Sequence, residues 1–437
     1  MTERGCSYSA WAGCLAGDVD SRRPSAGVVK SATLDMSLPK LDKKLSTTYL
    51  TDTSRHLETP AFVYEEAAFD RSLDSVAPIR QATNCRVLFA LKAFSFIDVL
   101  KLMEPRLDGF AVSSLFEARL ARDALANAGT MHLTTPGLRP DDIGEIASLC
   151  DYISFNSLGQ LGSYRDAVAR YTSVGLRVNP QLSFVDDDRY DPCRPHSKLG
   201  VPLDDLEEAV ARDRRSLDGV EGIHIHTNCD STSLSPVLET VQHLESRLGG
   251  LLAEMKWINL GGGYLFDEAE DLSPLLEAIA LIETKYGLQV YVEPGAALVR
   301  RAGYIVSSVL DIFTSDGRRV AVLDTTVNHM PEVLEYGYEP DVASHVEDGD
   351  YEYVLTGSTC LAGDVFGAYR FSEPLDIGSR VVFYNAGAYT MSMAHTFNGV
   401  NLPLVYALDS AGKLTLRKRF TYEDYAERWG AGISVTV

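Results

Sequence analysis

The sequence predicts an α/β protein in which a (β/α)8 barrel is followed by a C-terminal antiparallel β domain. Eight short apolar runs alternate with helical patterns in the first 300 residues of the 437-residue chain. Such alternation is typical of parallel strands joined by crossover helices, and eight units indicate a barrel whose active site lies at the C-terminal strand ends. After residue 300, β-rich runs follow one another without long helices, which favours a second, antiparallel domain.

The N-terminal part of the chain differs in composition from the rest. Residues 1–45 are rich in Ser, Gly and charge and show no sustained periodicity. We expect a disordered extension there, or upstream sequence if translation begins at Met36. Ordered structure is expected to begin with the strand-like ETPAFVY. We assign 57–300 to the barrel and 301–437 to the β domain, which a strand near 45–60 could join.

Each barrel strand is predicted from one apolar run. In chain order the runs are Val87–Ala93, Gly109–Ser113, Met131–Thr134, Tyr152–Asn156, Gly175–Asn179, Gly222–Thr227, Trp257–Gly261 and Gln289–Glu293. Apolar residues at three- and four-residue spacing predict helices between them, for example Ser114–Ala128, Leu203–Asp213 and Leu272–Tyr286. Residues suited to chemistry lie at or near the ends of the runs: Lys92, Ser113, Asn156, Arg177, His226, Gly261–Gly263 and Glu293.

The β domain is predicted from runs that turn signals separate. The runs are Tyr304–Thr314, Arg318–Thr326, Tyr351–Thr356, Ser379–Asn385, Leu402–Leu408 and Leu414–Phe420. Ser315-Asp316-Gly317 and the segment 409–412 are turn sequences of the kind that join antiparallel strands.

Composition limits the classes of partner. A net charge of -21 argues against nucleic acid, because phosphates would be repelled, and favours a well-solvated surface. The seven cysteines form no C-x-x-C pair, so disulfide and zinc frameworks are disfavoured and a reducing cytoplasm is expected. No apolar run is long enough to span a membrane, and the N-terminus lacks the core of a signal peptide.

Three strand-end segments predict a site for a phosphorylated, electron-withdrawing cofactor. Lys92 ends an apolar run, where desolvation would lower its pKa and suit covalent chemistry; alternatively, its head reaches water. Gly261–Gly263 follows the seventh strand and could present amides to a phosphate, or form only a tight turn. Glu293 ends the eighth strand and could hold a pyridine nitrogen protonated, as pyridoxal phosphate (PLP) requires, or cap a neighbouring amide.

Two further segments carry polar chemistry. Strand alternation puts His224 and His226 on one face, where a ring could stack on a flat cofactor, although a structural role is the commoner one. No partner cluster of carboxylates or thiols is visible in the sequence, so we predict no metal site. Cys360 and Asp364 lie in GSTCLAGD of the β domain, where a thiol could exchange a proton and a carboxylate could bind an ammonium group.

The combined motifs resemble those of the alanine-racemase-like, fold type III PLP enzymes, and within them the group II basic amino acid decarboxylases. The resemblance covers about residues 57–408. The segments that narrow it towards the carboxynorspermidine decarboxylases are LKAFS, SSLFE, RYDPCRPHSKLG, GIHIHTNC, NLGGG, VEPG, TVNHMP, GSTCLAGD and YTMSMAHTFNG.

The resemblance implies a role for each matching residue. Lys92 would bind PLP covalently, His226 would stack on its ring, and Glu293 would pair with its nitrogen. The resemblance also implies cofactor contacts from Gly262, Gly263, Gly295, Tyr389 and Arg177. Cys360 would protonate the carbon from which carbon dioxide has left, and Asp364 would bind the distal amine of the substrate. Both residues would reach the active site of a second subunit, so the protein would be a homodimer. The substrate-binding residues implied are Asp364, Asp324, His329, Tyr264 and Asp230.

Several positions depart from the family pattern. They are Thr227 and Asn228 after the strand-six histidine, Tyr264 after the glycine triplet, and Ala388 and Met393 in the last motif. Because these positions would face the substrate, we predict a carboxylated polyamine or a related basic amino acid as substrate. Two alternatives stay open at this point: an amino acid racemase on the same fold, and a non-catalytic PLP-binding homologue.

Overall fold

The computed structural model describes residues 57–126 and 129–432. The predicted extension at 1–45, and the joining segment as far as residue 56, lie outside the described residues. The first element is strand β1 (Ala61–Glu65), which forms within ETPAFVY.

Eight parallel strands close into a barrel, which confirms the first half of the predicted fold class. They are β2 (Arg86–Ala90), β3 (Gly109–Val112), β4 (Thr130–Thr134), β5 (Tyr152–Phe155), β6 (Ser173–Asn179), β8 (Gly222–His224), β9 (Trp257–Asn259) and β10 (Gln289–Val292). The short strand β7 (Val201–Pro202) pairs with β6. The ring closes where β10 pairs with β2, with Tyr291 opposite Arg86, and where β5 pairs with β6.

Helices follow the strands in sequence. Those of the barrel segment are α1 (Glu66–Ser75), α2 (Ala77–Ala82), α3 (Ile97–Met103), α4 (Leu115–Ala124), α5 (Ile143–Leu149), α6 (Leu158–Val168), α7 (Leu203–Arg212), α8 (Ser235–Leu252), α9 (Ser273–Tyr286) and α10 (Ala296–Val299). The later ones are α11 (Pro331–Tyr336), α12 (Thr390–Met393) and α13 (Tyr422–Arg428).

Reciprocal caps start two of these helices at the C-terminal strand ends. The Ser114 hydroxyl accepts from the amide of Glu117 at 3.2 Å, and the Glu117 carboxylate accepts from the amide of Ser113 at 2.6 Å. Ser157 and Gln160 repeat the arrangement at the start of α6. Each pair satisfies amides that the first helical turn leaves without partners, and so fixes the residues where strand passes into helix.

A layer of aromatic rings fills the barrel interior. The ring of His132 stacks on Tyr152 with centroids 4.0 Å apart, and the hydroxyl of Tyr291 donates to that of Tyr152 at 3.0 Å. Trp257 packs against Gly222, where an added Cβ would lie 2.0 Å from the indole. Burial lowers the pKa of His132 to about 3, so this ring is neutral. The interior is therefore a packed core, as expected for a barrel of this size.

The remaining strands form a second sheet, which confirms the predicted C-terminal β domain. They are β11 (Gly303–Ser315), β12 (Arg318–Leu323), β13 (Tyr351–Thr356), β14 (Val365–Phe371), β15 (Arg380–Phe383), β16 (Leu404–Leu408) and β17 (Leu414–Lys418). Asp316 and Gly317 form the two-residue turn between β11 and β12 with φ of 46° and 79°, as a tight hairpin requires.

Strand β1 belongs to this second sheet. It pairs antiparallel with β11 and parallel with β16, and β12 also pairs parallel with β13, so the sheet is mixed. The range 57–300 therefore contains one strand of the second sheet. Within the ranges 57–126 and 129–432, we find no helix with both the length and the apolar character needed to cross a membrane.

Candidate active site

A cavity of about 590 Å3 opens at the C-terminal ends of the barrel strands. This volume is within the range of small-molecule sites. The predicted site residues that line it are Lys92, Arg177, His226, Gly263, Glu293, Gly295, Tyr389, Tyr264 and Asp230. Residues that are distant in sequence thus share one space, although the roles assigned to them stay predictions.

Lys92 lies in a single 3-10 turn, Leu91–Ala93, that directly follows β2, and not in the strand itself. The amide of Phe94 closes the turn on the carbonyl of Leu91 at 3.0 Å. The amide of Tyr389 donates to the carbonyl of Ala93 at 2.8 Å, so the segment before α12 also holds the turn. These bonds fix the backbone from which the Lys92 side chain enters the cavity.

The surroundings of Lys92 disfavour its charged form. Desolvation by the surrounding protein lowers the pKa of its amine, although the residue is exposed to the open cavity. Glu293 opposes this effect, and the positive charge of Arg177 adds to it. The neutral amine is therefore available at lower pH than for an ordinary lysine. A neutral amine is the form that bonds covalently to an aldehyde.

Glu293 is held by two side chains from neighbouring strands. The side-chain amide of Asn259 donates to Oε1 of Glu293 at 2.6 Å, and Nε2 of His224 lies 3.3 Å from Oε2. Burial alone would raise the pKa of Glu293, but the imidazole of His224 counters it and the pKa falls to about 2. An ionised carboxylate thus borders the cavity, where it can accept a hydrogen bond. The position of Asn259, two residues before the glycine triplet, is the sequence signal that could have identified it.

His226 presents a neutral ring to the cavity. Its Nδ1 accepts a hydrogen bond from the amide of Gly262 at 3.1 Å, and burial lowers its pKa well below the usual range. Because Nδ1 accepts, the proton of the neutral imidazole lies on Nε2. The bond also fixes the plane of the ring.

The glycine triplet packs too closely against other backbone to carry side chains. An added Cβ at Gly261 would lie 2.3 Å from the carbonyl oxygen of Ile225, and one at Gly263 would lie 2.0 Å from that of Asn228. Both glycines have positive φ, 72° and 90°. The turn therefore lies directly against the segment that carries His226, and Gly263 exposes backbone to the cavity.

We expect Gly262→Ala to damage both stability and cofactor binding. A Cβ at this position would lie 2.2 Å from the carbonyl oxygen of Glu293, so one of the two strand ends must move. Overpacking of this kind costs about 1–3 kcal/mol. Urea unfolding and titration of the apoprotein with PLP would measure the two effects. Gly250→Ala is the matched control, because nothing lies within 4 Å of the added atom; equal losses in both variants would contradict the packing argument.

Tyr264 and Asp230 border the same part of the cavity. The hydroxyl of Tyr264 lies 3.3 Å from that of Thr227, so two of the departures from the family pattern contact each other. Asp230 has a left-handed backbone with φ of 49°. Its carboxylate makes no hydrogen bond or ion pair with any residue in the described ranges, and it is therefore available to a cationic ligand.

One wall of the cavity was not predicted from the sequence. It is the loop between β6 and β7, whose cavity-lining polar side chains are Arg189, Tyr190, Asp191, Arg194, His196, Ser197 and Lys198. Four basic side chains within ten residues of one loop after a barrel strand are a signal that the sequence does contain. All four lie in the motif RYDPCRPHSKLG.

Five predicted site residues do not line the cavity of their own protomer: Gly262, which lies in the glycine turn beside Gly263, and four residues that follow the barrel. Cys360 is exposed, and its backbone amide donates to Oδ1 of Asn398 at 2.8 Å. Asp324 accepts hydrogen bonds from the hydroxyl of Ser307 at 2.7 Å and from the hydroxyl of Thr59 at 2.6 Å, within the second sheet. The geometry of Asp324 favours a sheet-stabilising position over the predicted contact with substrate.

The other two are buried. His329 has 0% exposure, with Nδ1 3.0 Å from the hydroxyl of Thr325, and burial lowers its pKa to about 4. Asp364 has 3% exposure, and its oxygens accept hydrogen bonds from neighbouring loops. Both residues are buried in their own protomer, and their substrate-binding roles stay predictions.

The residues around the cavity fit the cofactor that the resemblance implies. Lys92 offers an amine for the aldehyde, and Glu293 offers an ionised carboxylate for the pyridine nitrogen. Arg177 is buried, and its guanidinium bonds to no residue in the described ranges, so it is available to an anionic or polar group. A side chain at Gly295 would be a tight fit, since a Cβ would lie 3.1 Å from that of Ala93. Among residues 57–126 and 129–432, no group of three His, Cys, Asp or Glu could hold a metal ion.

Comparisons with known proteins agree with this chemistry. The family described as "Pyridoxal-dependent decarboxylase, C-terminal sheet domain" matches residues 34–387. A carboxynorspermidine/carboxyspermidine decarboxylase of Campylobacter jejuni is 34% identical over 388 residues, which cover 85% of this chain and 98% of the relative. A carboxyaminopropylagmatine decarboxylase of Synechocystis is 36% identical over 381 residues, 86% of this chain and 96% of the relative.

A solved structure agrees as well. The carboxynorspermidine decarboxylase of Campylobacter jejuni, complexed with norspermidine, superposes with a TM-score of 0.77 at 32% identity and covers 85% of this chain and 100% of its own. These relatives are named decarboxylases and give no support to the racemase or the non-catalytic alternative. The chain therefore belongs to the pyridoxal-dependent decarboxylases, as a carboxy-lyase with pyridoxal 5'-phosphate as its cofactor.

Proposed function

We propose that the protein decarboxylates a carboxylated polyamine of the carboxynorspermidine or carboxyspermidine type and releases carbon dioxide and the polyamine. The observation that carries the proposal is the joint presence of Lys92, Arg177 and Glu293 in one cavity, in a chain similar over most of its length to enzymes with those names. The unpaired carboxylate of Asp230 in that cavity suits an ammonium group of such a substrate.

The proposed cofactor contacts follow from the positions of the side chains. Lys92 would form the covalent bond, and the ionised carboxylate of Glu293 would hold a proton at the pyridine nitrogen. His226 would lie against the ring, while Gly263 and Gly295 would offer backbone close to the phosphate. Tyr389 and Arg177 would add a hydroxyl and a guanidinium. The bound cofactor supplies an electron sink for the bond to the carboxylate.

We propose that the proton donor comes from a second copy of the chain. Cys360 would give its thiol proton to the carbon from which carbon dioxide has left, but it is exposed and lies outside the cavity of its own protomer. A homodimer with shared sites would bring the thiol of one subunit to the cavity of the other. We place the protein in the cytoplasm, because its five described cysteines are all free thiols.

A second candidate substrate is carboxyaminopropylagmatine, on which a relative of 36% identity is named. The guanidinium group of this substrate would take the place of the terminal ammonium group of carboxynorspermidine or carboxyspermidine. The basic side chains Arg189, Arg194 and Lys198 border the cavity beside the acidic Asp230. The balance between these charges would decide which cationic end is accepted.

A substrate screen tests the proposal. The purified holoenzyme is incubated with carboxynorspermidine, carboxyspermidine, carboxyaminopropylagmatine and diaminopimelate, and carbon dioxide and the amine product are measured by mass spectrometry. We expect the highest kcat/KM with a carboxylated polyamine. Preference for diaminopimelate, or turnover of none of the four, would contradict the proposed substrate class.

The lowered pKa of Lys92 predicts the pH dependence of cofactor capture. Only the neutral amine reacts, so the capture rate should rise with pH around a midpoint below the value of about 10.4 for an ordinary lysine. Arg177→Met should move the midpoint to higher pH, because a repelling charge is removed. Glu293→Gln should move it to lower pH, because a stabilising charge is removed. Stopped-flow absorbance of the apoprotein mixed with PLP measures the midpoint; no shift from a free alkylamine would contradict the argument.

A further inference from the structure

The carboxylate of Asp364 is completely engaged inside the second domain. Oδ1 accepts from the amide of Val327 at 2.8 Å. Oδ2 accepts from the hydroxyl of Thr326 at 2.9 Å and from the amide and hydroxyl of Thr359 at 3.0 and 2.5 Å. With 3% exposure, the residue offers no surface to a ligand of either subunit. The four bonds provide the partners that a buried charge requires.

These bonds join the loop that carries Cys360 to the turn after β12. The donors lie at 326–327 in the turn and at 359 in the loop, one residue before Cys360. The amide of Ser358 also donates to the carbonyl of Thr325 at 3.2 Å. Gly357 lets the loop pass close to the carboxylate, because an added Cβ would lie 2.1 Å from its Oδ1.

A third segment completes the support of the thiol-bearing residue. The amide of Cys360 donates to Oδ1 of Asn398, whose own backbone is left-handed with φ of 56°. The amide of His395 in that segment donates to the carbonyl of Asn328 at 3.0 Å. Three stretches of chain thus fix the backbone on both sides of Cys360, and its side chain remains exposed.

We propose that Asp364 is a positioning residue that holds the Cys360 loop and does not bind the substrate amine. The inference deepens the proposed function and rests on it, because the loop presents the proton donor. Without the Asp364 carboxylate as acceptor, the loop would adopt other conformations, and the Cys360 thiol would occupy its reactive position for only part of the time. Misplacement by about 1 Å can reduce a rate about 100-fold.

Asp364→Asn is the direct test in the PLP-loaded holoenzyme. In either orientation of the new side-chain amide, its NH2 group replaces an oxygen that accepts from the backbone amide of Val327 or of Thr359. Two hydrogen-bond donors then face each other, and one bond is lost. We expect kcat to fall by about 10- to 100-fold with KM unchanged. More carbon dioxide than amine should be released, because part of the turnover would place the proton on the carbon of the cofactor; water then releases an aldehyde in place of the amine, and the nitrogen stays on the cofactor. The absorbance of the cofactor bound before substrate is added should not change. Asp108→Asn is the control, since Asp108 accepts from the amide of Val87 at 2.8 Å, away from the loop.

Two results would overturn the proposal. A raised KM with unchanged kcat and equal amounts of carbon dioxide and amine would show that Asp364 binds substrate. Kinetics identical to those of the wild type would show that it has no role. If Asp364→Asn does not fold, Asn398→Ala removes one hydrogen bond to the same loop. For this variant too we expect a lower kcat with an unchanged KM.

A readout without turnover separates this proposal from the proposed function. Alkylation of Cys360 by iodoacetamide, followed by peptide mass spectrometry, should be faster in Asp364→Asn than in the wild-type holoenzyme, while that of buried Cys85 should not change. An unchanged Cys360 rate would reject the positioning role. A wild-type enzyme that is inactive on every carboxylated polyamine, but shows the altered alkylation, would reject only the substrate assignment.

Discussion

Lys92→Ala is expected to abolish covalent cofactor binding and to reduce kcat/KM at least about 1,000-fold. Lys92 is the residue of the turn Leu91–Ala93 that offers an amine to the cavity, and desolvation by the cavity walls lowers its pKa and so favours the reactive neutral form. The absorbance of the covalently bound cofactor should disappear. Borohydride reduction followed by peptide mapping would locate the modified residue in the wild type.

Lys198→Ala is the matched control for the covalent bond, because Lys198 also lines the cavity. This variant should retain the reducible link at Lys92, whatever happens to its turnover. A reducible adduct on another lysine in the Lys92→Ala protein would contradict the assignment and would require a different geometry for the cofactor.

Cys360→Ala is expected to retain the cofactor and to lose about 100- to 10,000-fold in the rate of amine formation, the usual contribution of a general acid. The decisive experiment mixes this variant with Lys92→Ala. Each protein alone is inactive, but a mixed dimer has one site with both residues intact. Equal mixing should restore about a quarter of the wild-type activity if the subunits exchange freely.

Two outcomes would reject the shared site. No recovery in a mixture that mass spectrometry shows to contain mixed dimers would mean that both residues act within one chain. Full retention of activity in Cys360→Ala alone would remove the thiol from the reaction. An exposed cysteine outside the cavity of its own protomer would then have no chemical role.

The barrel could be predicted because each of its strands is a local signal. Every apolar run contains or overlaps an observed strand, and the helix start at Ser114 follows from a capping pattern in the sequence. Strand β14 was missed, because its residues directly follow the polar motif GSTCLAGD. The parallel pairing of β1 with β16 was also missed, since it joins residues 61–65 to 404–408 and local sequence carries no signal for such a contact.

The candidate site shows the same limit. Strand ends identified Lys92, His226 and Glu293, because the fold brings all such ends to one face. The motif GSTCLAGD and the resemblance both suggested Asp364 as an amine ligand, and only its burial and hydrogen bonds support the positioning role that we propose. The bond between Asn259 and Glu293 depends on side-chain packing across neighbouring strands, which sequence spacing does not specify.

The position of β1 has a consequence for synthesis on the ribosome. The strand leaves the exit tunnel before the barrel strands, yet its neighbours β11 and β16 are translated only after the whole barrel. Until then neither β11 nor β16 is present to pair with the edges of β1. A strand with unpaired edges is prone to aggregate with other nascent chains. The barrel and the sheet are consequently not separable modules. An mRNA truncated before codon 404 would encode a chain in which β1 lacks its parallel neighbour β16.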